Sequence, residues 1–192
     1  MAPPIRTDIV DVYVFRTPPA TPATPATPIT PATLPAPPNP NLEVRNPRSE
    51  IHFLQLHRVP TISLPNTWQP IMGHMHEHET AAQTALRELA EETGYAPGAG
   101  LVSFWQLEEP NTYFLHSHQC IIMSPCFAAH VAGDIEPTLD ADHDAVRWVP
   151  RPYADRAFLW PGQRTAVAAI VRDILDPTSP VEPLLRIDPA TV

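Results

Sequence analysis

Between Gly73 and Tyr95 the chain reads Gly-His-Met-His-Glu-His-Glu-Thr-Ala-Ala-Gln-Thr-Ala-Leu-Arg-Glu-Leu-Ala-Glu-Glu-Thr-Gly-Tyr, and no other stretch restricts the fold as tightly. At 3.6 residues per turn, Ala82, Ala85, Leu86 and Leu89 share one stripe, suited to packing on a sheet. Thr80 and Gln83 have the spacing of a capping box, and Gly94 suits the left-handed position that stops a helix. The spacing therefore predicts a helix from about Thr80 to Thr93. Beside the apolar stripe, Glu88, Glu91 and Glu92 fall together. Carboxylates at these separations repel by roughly a few tenths of a kcal/mol per pair at a wet surface, and by more when partly buried. A cation among them relieves this, and oxygen ligands without thiolates suit Mg²⁺ or Mn²⁺. Arg87 lies one turn before Glu91 and is placed to orient that carboxylate, while Glu79 is placed to return to the same cluster.

The flanking segments read mostly as strands. Thr7 to Arg16, with Ile9, Val10, Val12, Tyr13, Val14 and Phe15, has the composition of a central strand, and Glu50 to Arg58 that of its neighbour. Leu101 to Leu107, Thr112 to Leu115, Cys120 to Val131 and Ala145 to Val149 follow, the third read as one long strand. A second helix opens at Trp160-Pro161-Gly162-Gln163, with Ala166, Ala169, Ile170 and Ile174 as its apolar face. Between the first two strands, Pro18 to Pro40 repeats Ala-Thr-Pro. This holds much of an excess of 27 prolines. With no apolar side chains to bury and few donors, it is expected to be a solvated polyproline II or disordered insertion, a Pro-rich docking ligand being the alternative.

At 192 residues the expectation is one domain. It spans residues 1–176, with 17–49 as the insertion and 177–192 as a tail crossing the surface. A net charge of −9 argues against a nucleic-acid polymer or an anionic membrane as the main partner, because either needs a basic footprint. A phosphate substrate would need metal and a few placed arginines to offset that field. Cys120 and Cys126 are read as lying on one face of one strand, too far apart for a disulfide, and therefore as reduced and structural. That fits a cytoplasmic location. No secretion signal or membrane span is read from the sequence.

The motif resembles that of the Nudix hydrolases, G-x5-E-x7-R-E-U-x-E-E-x-G-U with U a bulky apolar residue. Gly73, Glu79, Arg87, Glu88, Leu89, Glu91, Glu92, Gly94 and Tyr95 fill every fixed position. The resemblance implies an α/β (α+β) architecture, an α/β/α sandwich around a mixed sheet, over about Asp8 to Leu175. It implies hydrolysis of a nucleoside diphosphate linked to another moiety, with Mg²⁺ or Mn²⁺ as cofactor. Glu88 and Glu92 would hold the metal, with Glu91, the backbone carbonyl of Met72 or Gly73, and Asp142, the acid before His143, as further ligands. Glu91, or an acid from the Glu136 to Asp144 loop, is the candidate general base, and Arg87 and Glu79 orient the cluster. Arg58 would face substrate phosphates. Trp68 heads the aromatic candidates for stacking on a base, with core packing the alternative for each.

A weaker similarity, carried by Trp68, Ser124 to Phe127, Asp142-His143 and Trp160 to Gln163, is to bacterial dATP pyrophosphohydrolase and dihydroneopterin triphosphate pyrophosphatase. It implies release of pyrophosphate from a (deoxy)nucleoside or pterin triphosphate, and the family allows a homodimer. Hydrolysis of nucleotide sugars or dinucleoside polyphosphates is the first alternative, and a non-catalytic nucleotide-sensing module the second. The loop departs from the commoner family pattern in carrying His74, His76 and His78, where many relatives have an acid and a glycine. Alternating imidazoles suit a transition metal such as Zn or Ni; the plainer reading is an exposed loop that titrates near neutrality.

Overall fold

The computed structural model describes residues 2–17 and 51–192; the Ala-Thr-Pro repeat, and what was expected of it, lie outside them. In chain order the strands are β1 (Ile5–Arg6), β2 (Ile9–Arg16), β3 (His52–Arg58), β4 (Trp68–Gln69) and β5 (Ile71–His74). Helix α1 (Ala81–Thr93) follows, then β6 (Ala96–Pro97), β7 (Gly100–Gln106), β8 (Asn111–Leu115), β9 (Cys120–Ser124), β10 (Cys126–Val131) and β11 (His143–Pro150). The chain closes with α2 (Arg151–Ala157), α3 (Pro161–Ala169) running into a π-helical turn at Ile170–Ile174, α4 (Glu182–Leu185) and β12 (Arg186–Ile187).

The central strand owes its position to having two apolar faces. Val10, Val12 and Val14 of β2 point to one side and pack with Ala85 and Leu89 of α1. Tyr13 and Phe15 point to the other and pack with Ala154, Ala166, Val167 and Ile170. A strand alternates its side chains, so β2 must be covered on both faces, and each large apolar side chain it buries is worth about 1.5–3 kcal/mol before entropy is set against it. The result is the expected sandwich: the main sheet runs β11-β3-β2-β10-β7-β12 among the described residues and is mixed, with β10 parallel to β2 and β3 antiparallel to it.

A split in this sheet positions the motif. Among the described residues β2 and β3 pair only at Phe15–Phe53 and Arg16–His52. Beyond that point they diverge, and β4 pairs with β3 while β5 pairs with β2. Pro70, with no N–H to donate, marks the changeover between the two. The closed end is braced by Arg16, which donates to Glu136 at 2.6 Å and lies 3.9 Å over the Trp148 ring.

Three expectations need correction. Cys120 to Val131 is two strands, because Pro125 interrupts it: β9 belongs to a small sheet, β1-β9-β8, and β10 to the main one. Cys120 and Cys126 are both free and buried, but they lie in separate apolar clusters rather than on one face of one strand. The segment after Pro177 does not simply cross the surface: β12 adds to the edge of β7, with Arg186 over the Trp105 ring and Glu182 accepting from the Trp105 indole. Helix α2, a short segment with Pro152 in its first turn, was not expected from the sequence. Among the described residues no helix is long and apolar enough to cross a membrane.

Candidate active site

Helix α1 is fixed at both ends as its sequence requires. Thr80 accepts from the Gln83 N–H at 3.2 Å, the Gln83 side chain accepts from the Thr80 N–H at 2.9 Å, and Gly94 stops the helix at φ 75°. These caps set the rotation of the helix, which buries Ala85 and Leu89 and leaves the carboxylates along the edge facing β5.

Arg87 is the hub. Its guanidinium grips Glu79 in a paired fork, Nε to Oε1 at 2.8 Å and Nη2 to Oε2 at 3.0 Å. It also donates to the His74 carbonyl at 2.9 Å, to Glu88 at 2.7 Å and to Glu91 at 3.0 Å. Glu79 accepts in addition from the His76 N–H and the Thr84 hydroxyl. The Arg87 hydrogen bonds, with the His76 N–H next, hold the Glu79 carboxyl down to about 2. A carboxylate held this way stays ionised and cannot serve as a base near neutrality, so Glu79 and Arg87 form the frame of the cluster.

Glu88 lies directly across the motif glycine. A Cβ on Gly73 would fall 1.9 Å from Glu88 Cδ, so the strand accepts only glycine under that carboxyl. Burial pushes Glu88 above its ordinary value, with Arg87 opposing. Glu91 is the exposed member. Glu92 is 5% exposed, and its Oε2 has no hydrogen-bond partner. Burial first, then the charges of Glu88 and Asp140, push Glu92 up to about 9, against a smaller pull from Arg58.

The acidic loop before β11 is arranged differently from the expectation. Asp142 is exposed, and its neighbour His143 takes the inward position, 1% exposed at the side chain. Adjacent residues entering a strand point to opposite sides, so only one of this pair reaches α1. His143 Nδ1 is 2.7 Å from Asp140 Oδ1, and its Nε2 is 3.9 Å from Glu92 Oε2. His143 was thus missed, and Asp140, expected only as one of the acids of the Glu136 to Asp144 loop, is its partner.

The two expected substrate contacts are not brought together. Arg58 shares the α1 side with Glu92 and donates to the Ser63 carbonyl at 2.9 Å. Trp68 pairs across the ladder with His57, so it lies on the opposite side of β3, its ring 4.9 Å from the imidazole and 4.3 Å beneath the Arg147 guanidinium. Arg147 is in turn held by the buried Gln55. A cavity of about 230 Å³ lies elsewhere, lined by Leu107, Asn111, Cys126 and Gly162 among others, and includes none of the motif carboxylates.

Among the described residues no three His, Cys, Asp or Glu side chains are gathered closely enough to hold a metal ion as they stand. One Arg87 nitrogen serves both Glu88 and Glu91, in the position a cation would compete for. The residues nevertheless fit a hard divalent cation: the oxygen-rich pair Glu88 and Glu92 is available, and a buried Glu92 oxygen lacks any donor.

In the histidine loop, His74, His76 and His78 are all exposed, and His78 sits at φ 73°. This left-handed backbone costs a side chain what glycine avoids, although histidine tolerates it better than most. His78→Gly is expected to raise stability by about 0.5 kcal/mol, read as a rise of about 1–2 °C in melting temperature. A fall would show that the imidazole holds part of the loop.

A family model described as NUDIX domain matches residues 41–170. The chain belongs to the NUDIX family. A C. elegans Ap4A hydrolase solved as a binary complex resembles this NUDIX chain with a TM-score of 0.59 and 15% identity, over 86% of this chain and 96% of that one. The E. coli dihydroneopterin triphosphate pyrophosphohydrolase gives 0.52 and 18%, over 84% and 95%. Both are likenesses of fold. An octanoyltransferase of Myxococcus xanthus is 33% identical over 102 residues, which are 52% of this chain and 27% of that protein. The chain therefore matches about a quarter of the length of that relative. The family model shows the family, and the solved structures show its fold.

Proposed function

We propose that this NUDIX chain is a metal-dependent pyrophosphohydrolase that cleaves a (deoxy)nucleoside or pterin triphosphate to the monophosphate and pyrophosphate. The observation that carries the reading is the Arg87 network, which ties Glu79, Glu88 and Glu91 into one frame beside the buried Glu92. Glu88 and Glu92 would hold Mg²⁺ or Mn²⁺, with the backbone carbonyl of Gly73, the residue of β5 directly under Glu88, as a candidate further ligand. Such a cation, when bound, neutralises phosphate charge and acidifies water.

The chain's own residues do the rest. Glu79 and Arg87 keep the carboxylates at fixed positions, the kind of support whose loss typically costs about 10–100-fold in activity or metal affinity. Glu91 is exposed and accepts from Arg87, which supports a role in taking a proton from an attacking water. Arg58 offers a positive charge on the same side of the sheet as Glu92, suited to a phosphate, whereas the Trp68 ring, beneath Arg147 on the other side of β3, is not part of that surface.

The test is product analysis with purified protein and Mg²⁺ against dATP, other nucleoside triphosphates, dihydroneopterin triphosphate, ADP-ribose and diadenosine polyphosphates. Pyrophosphate released from a triphosphate is the expected result. Turnover confined to dinucleoside polyphosphates or sugar-linked diphosphates would move the assignment to the first alternative, and binding without turnover to a sensing module.

A further inference from the structure

His143 stands at the same centre, but neither the family motif nor the proposed reaction requires it as a ligand. Its backbone pairs with Arg58, and the ladder shifts register between His143 and Ala145, so the first residue of β11 turns its ring inward. Asp140 accepts from Nδ1 at 2.7 Å. With Nδ1 engaged by Asp140, Nε2 is the ring nitrogen left to bind an ion through the lone pair of a neutral imidazole. Nε2 is buried and has no hydrogen-bond partner; Glu92 Oε2, 3.9 Å away, is buried and has none either.

His143 Nε2 and Glu92 Oε2 thus face each other, neither with a hydrogen-bond partner. Their separation is too long for a hydrogen bond. It is within what one ion allows, since bonds of about 2.1 Å to each of two donors permit a span of up to about 4.2 Å. A carboxylate behind the imidazole is also the usual support for a metal-bound histidine.

Resting on the metal site proposed above, we infer that His143 binds through Nε2 the cation held by Glu92, oriented by Asp140, and that the site consequently favours a first-row transition ion over Mg²⁺. A nitrogen donor contributes little to Mg²⁺, which prefers oxygen, and more to Mn²⁺, Co²⁺ or Zn²⁺.

The experiment is Mn²⁺ titration of the metal-stripped full chain followed by electron paramagnetic resonance, with pulsed spectra to detect nitrogen coupled to the ion. Wild-type protein is expected to show the ¹⁴N coupling. His143→Gln should lose it and bind Mn²⁺ about 10–100-fold more weakly, while its Mg²⁺ affinity changes less than threefold. Mn²⁺ bound by the wild type without ¹⁴N coupling overturns the histidine ligand and leaves the proposed function standing. This decision needs no variant, so a misfolded His143→Gln does not obscure it. No Mn²⁺ binding by the wild type, or binding unaffected by Glu92→Gln, overturns the metal site itself and the ligand with it.

Discussion

Glu92→Gln lowers turnover by roughly a thousandfold, about 4 kcal/mol of barrier, while leaving the fold intact. The two parts of this expectation have one cause. Glu92 is buried with no partner on Oε2, beside Glu88 and Asp140, so its ionised form is favoured chiefly when a metal cation is bound close by. Glutamine keeps the shape and removes the charge. Steady-state kinetics together with circular dichroism decide the matter, and near-wild-type activity would falsify the assignment of Glu92 to the metal.

The same residue gives the cation-free protein a pH signature. Glu92 titrates near 4.5 in the unfolded chain and is pushed up to about 9 in the folded one. Between these values the folded state holds the extra proton, so the associated stability is complete below 4.5 and is lost as pH rises through about 9. Asp11, raised to about 6, adds the same slope at lower pH; His52 and His130, lowered by burial, oppose it around neutrality. The clean window therefore runs from about pH 7 to about pH 9. With chelator present, the melting temperature of the wild type should fall across it more steeply than that of Glu92→Gln. Parallel curves would mean that Glu92 is ionised without metal.

Gly73→Ala is expected to cost at least about a hundredfold in activity, because a shift of about 1 Å in a reacting group suffices for such a loss. The added methyl would overlap Glu88 Cδ at 1.9 Å, and the carboxyl must leave its place over the strand. Glu88 is a terminal, partly exposed side chain, so the fold yields at a cost of about 1–3 kcal/mol. Activity lost with the melting point largely kept is the distinguishing pattern. Unchanged kinetics would show that Glu88 works from another position.

What the sequence made legible was local. Caps, stripe and carboxylate spacing in α1 depend on residues within one helix, and Thr80, Gln83 and Gly94 specify its ends to within a residue. The nearly continuous run of β-formers in β2 likewise announced a central strand. Long-range partners were not legible: Asp11 reads as a polar interruption of a strand until Asn111 and Ser124, about a hundred residues away, are seen donating to it. Gln69 and Gln163 meet at 2.7 Å for the same reason, unseen in sequence. At Asp142-His143 the choice turned on which of two neighbours faces inward, and that is set by the register with β3, which a single loop sequence does not contain.

The central position of β2 determines where the chain tolerates being cut. The family match begins at residue 41, yet β2 lies at Ile9–Arg16 and is the strand with which β3, β5 and β10 all pair. At the other end β12 occupies the edge of β7, whose backbone would otherwise be open to pairing with another chain. An expression fragment trimmed to the matched segment would thus lack the middle of its sheet and expose one rim. The cooperative unit of this protein is longer than its family signature in both directions.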